Sequence, residues 1–342
     1  MTPPHPDDIK GYLKLLSRGQ QLSSHQIFNL LDTLSGETAK SDQRAAFLMA
    51  LSLRGEKEDE LLGAIKFLRS RMISIPTSPD CVDIVGTGGD GFNTYNISTA
   101  SAFVAAGAGA KVVKHGNKSV SSRSGATDVL SALGINISLS PDKSVKILNE
   151  IGLCFLWAQT HHPVLKPWST TRSDLGIRTI FNLVGPLCNP GNVKRQVVGV
   201  SDPKFLFPIA DVLKILGTKH AWIVCGHDGL DELSTTGPSY VVELREDKIS
   251  EFEITPEQLS IQRSQLSDII GGDPQTNAQE LRAILSGKLC PYRDIVLLNT
   301  AALLLIGGIV PNIQKGVEGA TKSIDEGLAL DKLNKLIKFS NI

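Results

Sequence analysis

The stretch Cys81–Thr99, CVDIVGTGGDGFNTYNIST, decides how the chain is read. CVDIV is a short, mostly apolar run with β-branched residues, which predicts a buried strand. Gly86-Thr87-Gly88-Gly89-Asp90-Gly91 then satisfies G-x-G-x-x-G letter by letter. A dinucleotide fingerprint asks for three things: a strand before it, a helix opening within the glycines, and an acid about 20 residues further on to hold a ribose. Only the strand is in place. The helix is expected near Ser98, after FNTYN, and the zone for the acid reads Lys111-Val112-Val113-Lys114. Asp90 also puts a carboxylate inside the loop. The stretch therefore reads as an oxyanion loop of another kind. Glycine lets backbone N–H groups approach oxyanions because it has no Cβ. Thr94, Asn96, Ser98 and Thr99 add hydroxyl and amide groups beside a helix amino terminus, itself an anion site. A tight turn capped by Asn or Ser would not need four glycines within Gly86–Gly91.

The next predicted strand runs into KHGNKSVSSRSG. Lys114, Lys118 and Arg123 are cationic, and Asn117, Ser119, Ser121, Ser122 and Ser124 are donors. Gly116 and Gly125 give the backbone freedom. Two successive strands thus end in glycine-plus-polar loops, the second carrying positive charge, an arrangement suited to a pyrophosphate and a sugar phosphate together. Further on, CGHDGLDELS places Asp231 and Glu232 side by side after a glycine turn. Hard carboxylate oxygens beside phosphates are where Mg²⁺ belongs. An acidic helix start is the competing reading of that pair taken alone. His227-Asp228 could form part of a triad, but no G-x-S-x-G nucleophile exists to use it. His161-His162-Pro163 lacks the second spaced pair that a metal site needs.

Residues 6–74 read as helices joined by short turns, with Gly19, Gly36 and Gly55 as stops and Ser24 as a cap. KEDELLGAIKFLRSRM, acidic first and basic last, complements the helix dipole. After Pro76 and Pro79 the texture changes: CVDIV, KVVKHG, LCFLWA, RQVVGV, AWIVCG and SYVVEL read as strands alternating with helices. That alternation predicts a mostly parallel sheet. YVVELREDKISEFEI reads as a hairpin at an antiparallel edge, and the last third is helical again.

Lys+Arg and Asp+Glu are both 35, so the net charge is zero and gives no support for a nucleic-acid or anionic-membrane partner. The five cysteines are scattered and form no C-x-x-C pair, and an odd count suits a reducing compartment. MTPPHPDDIK lacks a signal-peptide layout, and no apolar run reaches the about 18 residues of a membrane span. A cytoplasmic protein is expected.

DIVGTGGDG, NISTASAF, KHGNKSVSSRSG, HHPVLK, LGIRTIFNLVGPLCNP and GLDELS stand here in an order that resembles the anthranilate phosphoribosyltransferase family. With the helical amino terminus and the C-terminal RDIVLLNTAALL, the resemblance covers nearly the whole chain. It implies an α/β fold of the nucleoside phosphorylase/phosphoribosyltransferase class, with a small all-helical domain and a larger domain built on a mostly parallel sheet. The expected division is 1–75, joined by a returning segment at about 170–190, and then 76–169 with 191–342. The implied reaction joins anthranilate to 5-phosphoribosyl 1-diphosphate (PRPP), giving N-(5-phosphoribosyl)anthranilate and pyrophosphate in tryptophan biosynthesis. Implied too are Mg²⁺, two ions per site, and a homodimer formed through the helical domain.

By the same resemblance, the PRPP site takes Gly86, Thr87, Gly88, Gly89, Asp90, Thr94, Asn96, Ile97, Ser98, Thr99, Lys114, His115, Gly116, Asn117, Lys118, Ser119, Val120, Ser121, Ser122 and Ala126. Gly86, His115, Asn117, Arg172, Gly185 and Pro186 would contact anthranilate, and Ser98, Asp231 and Glu232 would bind the metal. No residue is implied as a general acid or base. Lys118 stands where the family usually has Arg, and KPWSTTR around Arg172 is unusual. Two alternatives share these features: a nucleoside phosphorylase-like enzyme of the same fold, and a non-enzymatic paralogue that binds nucleic acid. The second should show a basic surplus and eroded acidic residues, which this chain does not.

Overall fold

The computed structural model describes residues 5, 8–117 and 124–342. Four helices open the chain: α1 (Ile9–Leu16), α2 (Ser24–Ser35), α3 (Ser41–Arg54) and α4 (Glu58–Arg71). Ser23, rather than Ser24, caps α2. Its hydroxyl accepts from the Gln26 N–H while the Gln26 side chain accepts from the Ser23 N–H. That reciprocal box needs a Gln or Glu three residues beyond the cap. Ser24 has Ile27 there, which is buried in the bundle. Gly63 lets α4 approach α2: a Cβ there would lie 2.3 Å from the Ser24 carbonyl. Glu60, wholly buried, accepts from the Leu22 and Lys57 N–H groups and pairs with Arg54.

Seven strands follow: β1 (Val82–Gly86), β2 (Val112–Gly116), β3 (Leu153–Trp157), β4 (Arg195–Gly199), β5 (His220–Gly226), β6 (Ser239–Arg245) and β7 (Lys248–Ile254). Their order is β3-β2-β1-β4-β5-β6-β7. All neighbours are parallel up to β5, while β6 and β7 run antiparallel, as the hairpin pattern predicts. The chain winds outward from β1 through β2 to β3, then returns to β4 on the other side. The switch point lies between the carboxyl ends of β1 and β4, where Gly86 pairs with Gly199. Open α/β sheets bind ligands at that crevice.

Successive residues of each strand point to opposite faces. Val197, Trp222 and Val224 join one core, and Val198, Ile223 and Cys225 the other. Helix α5 (Ile97–Gly107) begins the first layer; α6 (Ala126–Ala132), α7 (Pro141–Ile151), α8 (Ala158–His161), α9 (Ser169–Leu175), α10 (Ile180–Val184) and α11 (Leu206–Ile215) come next. The chain finishes with α12 (Pro274–Leu285), α13 (Pro291–Ile306), α14 (Ile313–Asp325) and α15 (Leu328–Asn341). Phe103 of α5 and Leu298 and Leu303 of α13 belong to the first core.

The second core is continuous from the opening helices to the sheet. Leu30, Phe47, Leu51 and Ile65 share it with Trp168, Ile180, Phe181 and Val184, and with Val198 and Ile223. Each such buried side chain contributes about 1.5–3 kcal/mol. Trp168, from the unusual KPWSTTR segment, is fully buried: its indole N–H donates to Ser35 Oγ (2.9 Å), and its ring packs edge-on to Phe181. It pins the segment that carries Arg172 to the helical bundle.

Candidate active site

The carboxyl ends of β1, β2 and β5 and the amino terminus of α5 open into one cavity of about 300 Å³. Gly88, Gly89 and Gly91 have φ of +68°, +82° and +79°, a region that L side chains enter only with strain. The Gly88 N–H donates to Asp231 Oδ2 (2.6 Å), and the Thr87 N–H to the Gly199 carbonyl (2.9 Å). A Cβ at Gly86 would lie 2.1 Å from Asp231 Oδ2, and one at Gly199 only 1.6 Å from the Asp231 carbonyl. The glycines that end β1 and β4 thus make room for Asp231.

Helix α5 opens at Ile97, one residue before the sequence expectation, with Asn96 at its cap. Asn96 does not cap through its side chain. Its amide donates to the Ser124 carbonyl (3.1 Å) and accepts from Asn277 (3.0 Å), holding the two loop ends together. In the first turn of α5 the Ile97 N–H donates to the Tyr95 carbonyl (2.8 Å) and the Ser98 N–H meets the Glu232 carboxylate, so the helix start already faces an anion. Thr94 pairs with Ile270, and the Tyr95 N–H donates to the Ile269 carbonyl, a tie to the C-terminal region that no local pattern announces.

Asp90, Asp231 and Glu232 meet on the acidic side. Burial pushes the Asp231 carboxyl up to about 7, with the Asp90 charge adding to it and the Gly88 N–H opposing it. Burial and then the Asp231 charge push Glu232 up to about 8, against Lys114 and the Ser98 N–H. Lys114 is buried as well, and its ammonium donates to the Ile84 carbonyl (2.6 Å) inside the sheet. Its charge therefore faces Asp83, Glu232 and Asp231 more than open solvent. Underneath, Asn189 donates to Asp83 Oδ2 and to the Val113 carbonyl, both at 2.7 Å, bracing β1 against β2.

Carboxylates gathered in a buried place, each favouring the protonated form, are the donor set that a hard cation restores to the ionised form. Among the described residues no three His, Cys, Asp or Glu side chains close a metal cage. An open set, two carboxylates with the Ser98 hydroxyl, suits Mg²⁺, which keeps waters and takes phosphate oxygens. His161 and His162 hold backbone carbonyls instead, at Ile73 (2.7 Å) and Cys188 (3.0 Å).

The other end of the cavity is built from side chains. The His115 and His162 rings lie 5.1 Å apart. Burial first, then the neighbouring histidines, holds His115 well below its usual range, and burial lowers His162 to about 4. Both are neutral imidazoles at pH 7. The Arg172 guanidinium sits 5.5 Å over the Phe181 ring, lowered only by burial, with no acid facing it among the described residues. Leu165, Ala158, Pro186 and Gly185 line the same end.

Every described residue named from the sequence lines this one cavity: Gly86–Asp90, Thr94, Asn96–Thr99, Lys114–Asn117, Ala126, Arg172, Gly185, Pro186, Asp231 and Glu232. Lys118, Ser119, Val120, Ser121 and Ser122 lie outside the described residues. His162, Phe181, Leu165 and Leu68 also line it, and the sequence reading left them out. The paired histidines were visible, but only as a weak metal motif. The apolar residues carry no local signal.

A helical bundle set against a mostly parallel α/β sheet, with an anion loop at its switch point, defines a two-domain glycosyl transferase. Residues 10–72 match the helical bundle domain of the Glycosyl transferase family, and residues 78–330 its a/b domain. Anthranilate phosphoribosyltransferases of Rhodopseudomonas palustris BisA53 and Beijerinckia indica are 44% and 45% identical to the chain, each match covering 98% of both sequences. The Thermus thermophilus anthranilate phosphoribosyltransferase structure superposes with a TM-score of 0.90 at 34% identity, over 96% of this chain and 99% of that one. The Saccharomyces cerevisiae enzyme in complex with PRPP and Mg also gives 0.90, at 30% identity over 98% and 99%. The chain belongs to the anthranilate phosphoribosyltransferase family.

Proposed function

We propose that the chain transfers the 5-phosphoribosyl group of PRPP to the amine of anthranilate, releasing pyrophosphate, as a step of tryptophan biosynthesis. The observation that carries this reading is the single cavity, with an anion-binding end of glycine backbone and carboxylates and an aryl-sized end holding an arginine that no described acid neutralises. The relatives of the same name and the yeast complex with PRPP and Mg support it.

Displacement at C1 of the ribose leaves negative charge on the departing diphosphate and positive charge on the sugar. In this reading the diphosphate lies against the glycine loop and the start of α5. The Thr87 and Gly88 N–H groups hold Gly199 and Asp231 and fix the loop, and the other loop donors would stabilise developing charge. Asp231, Glu232 and Ser98 would hold Mg²⁺, two ions per site in this proposal, which supplies charge neutralisation to the diphosphate oxygens when bound. Arg172 takes the anthranilate carboxylate, and the neutral His115 and His162 line the ring. The aryl amine is neutral at pH 7 and carries its own lone pair, so no general base is required. Positioning then supplies most of the acceleration. The reading assigns Lys114–Ser122, with Ala126, to the ribose phosphate and diphosphate of PRPP.

Residues 1–75 with about 170–190 act as one body that closes on the sheet domain and excludes water, which would otherwise hydrolyse PRPP. Phe47 of the opening helices and Phe181 of the returning segment share one core, which supports joining those two segments. The enzyme works as a homodimer through its helical domain, in the cytoplasm. Leu53 on α3, 80% exposed, is a side chain that such an interface would cover. Among the described residues no helix is long and apolar enough to cross a membrane.

The test is direct. Protein, Mg²⁺, PRPP and anthranilate are mixed and the loss of anthranilate fluorescence is followed. Loss that requires both PRPP and Mg²⁺ is expected. No loss, with phosphorolysis of a nucleoside in its place, would overturn the transferase reading in favour of a phosphorylase.

A further inference from the structure

Arg178 lies outside the cavity lining, directly behind the glycine loop. Its backbone belongs to the helical side, where Ser52 Oγ of α3 donates to its carbonyl (3.3 Å). Its side chain crosses to the sheet domain. Nη1 donates to Ser201 Oγ (2.9 Å), beyond the end of β4, and the guanidinium sits 5.2 Å over the Phe205 ring. The stem underlies the loop, since a Cβ on Gly89 would touch Arg178 Cδ at 3.6 Å. Nε and Nη2 are buried with no hydrogen-bond partner among the described residues. Two unpartnered charged donors are costly to bury. Glu56 on the helical side, with Asp231 and Asp202 on the sheet side, lies close enough to offset part of that cost.

A buried cation with spare donors, strung between two bodies and set under the loop that binds an anion, has more to do than fill space. We propose that Arg178 is the positioning residue through which the helical bundle sets the glycine loop and Asp231 for the diphosphate. When the bundle shifts, Ser52 carries the Arg178 backbone with it, and the side-chain stem moves against Gly89. Gly88 and Asp231 are joined by a hydrogen bond, so they follow. The planar fork matters here, because it holds Ser201 and stacks on Phe205 at once and so fixes the stem that underlies the loop. This inference rests on the phosphoribosyl-transfer reading.

The experiment uses the full chain with Arg178→Gln and Arg178→Lys, measuring kcat, both KM values, inhibition by pyrophosphate, and melting temperature. For Arg178→Gln, the PRPP KM and the pyrophosphate inhibition constant should rise together by about tenfold, with the anthranilate KM unchanged. Arg178→Lys, which keeps the charge and loses the fork, should fall between the two. A variant that melts lower but keeps both diphosphate constants would overturn the proposal and leave Arg178 as a strut. Equal rises in both KM values would overturn it too. If Arg178→Gln does not fold, Arg178→Lys decides by the same two constants. If the parent protein shows no transfer, the transferase reading fails on its own. Calorimetric titration of pyrophosphate with Mg²⁺ into parent and variant then decides, and equal affinities overturn the positioning role.

Discussion

The two ends of the cavity are made of different materials. At the end proposed for the diphosphate the groups are a glycine backbone held at positive φ, a helix amino terminus and two adjacent carboxylates, contributed mainly by Gly86–Thr99 and Asp231–Glu232. At the end proposed for the aryl ring they are side chains from β2, the residue following α8, α9 and α10: two neutral imidazoles, a phenyl ring and one arginine. A diphosphate carries several charges and needs many donors, which backbone supplies at fixed geometry. A monocarboxylate on an apolar ring needs one cation in an apolar wall. Backbone sites tolerate little substitution: a side chain would be strained by the positive φ of Gly88, Gly89 and Gly91, and would strike Asp231 from Gly86 or Gly199. Side-chain sites can lose a group and keep their shape.

The largest expected effect of breaking this contrast is at the acidic pair. Asp231→Asn with Glu232→Gln should cut Mg²⁺-dependent turnover by about 10²–10³-fold or more while the protein stays folded. Steady-state rates beside a melting curve check this, and near-normal turnover would remove the pair from the metal site. Next come the glycines. Gly199→Ala meets the Asp231 backbone carbonyl at 1.6 Å, whereas Gly86→Ala meets chiefly the Asp231 side-chain carboxylate, with the backbone carbonyl at 3.2 Å. Both should destabilise by about 1–3 kcal/mol with Gly199→Ala the worse, as denaturant titration would show. The reverse order would mean that the Asp231 backbone moves more easily than its side chain.

Arg172→Ala should raise the anthranilate KM by about 10–100-fold through loss of a charge-assisted bond, with the PRPP KM little changed. Equal rises would sink the carboxylate role and erase the distinction between the two ends. The smallest effect concerns acid. His162 is lowered from 6.5 to about 4 by burial, so the unfolded chain binds the extra proton between those values. Its contribution is whole above about pH 6.5 and is lost as the pH falls toward 4. His162→Gln should therefore lose less stability than the parent between pH 7 and pH 4.5. Parallel losses would show that His162 is not buried as a neutral ring.

The same contrast governs what the sequence reveals. The glycine loop was legible because strand, glycines and helix amino terminus are contiguous within Cys81–Thr99. The alternation of strands with helices and the antiparallel hairpin followed from period and composition. Asp231 could be read as an acid, but not that it wedges between Gly86 and Gly199, because that contact spans two strand ends far apart in the chain. Lys114 reads as a loop cation beside phosphates, yet the alternation of β2 turns it toward the Ile84 carbonyl. Phe181 and Leu165 were invisible because an apolar residue lining a cavity has the same local pattern as one lining a core. Arg178 stands inside the LGIRTIF run, but its role depends on Ser52, Gly89 and Ser201, none of them near it in sequence.

The sheet ends in β7, where Lys248, Ser250, Glu251 and Glu253 are exposed and Phe252 folds back edge-on against Trp222. An open strand edge invites another strand to pair with it, and charge along that edge is the usual deterrent. Here the deterrent falls on the flank farthest from β3, at the end of the sheet order, so the sheet cannot be extended there without burying ionised groups. A crowded solution of this protein is therefore protected against fibre-like growth along that border.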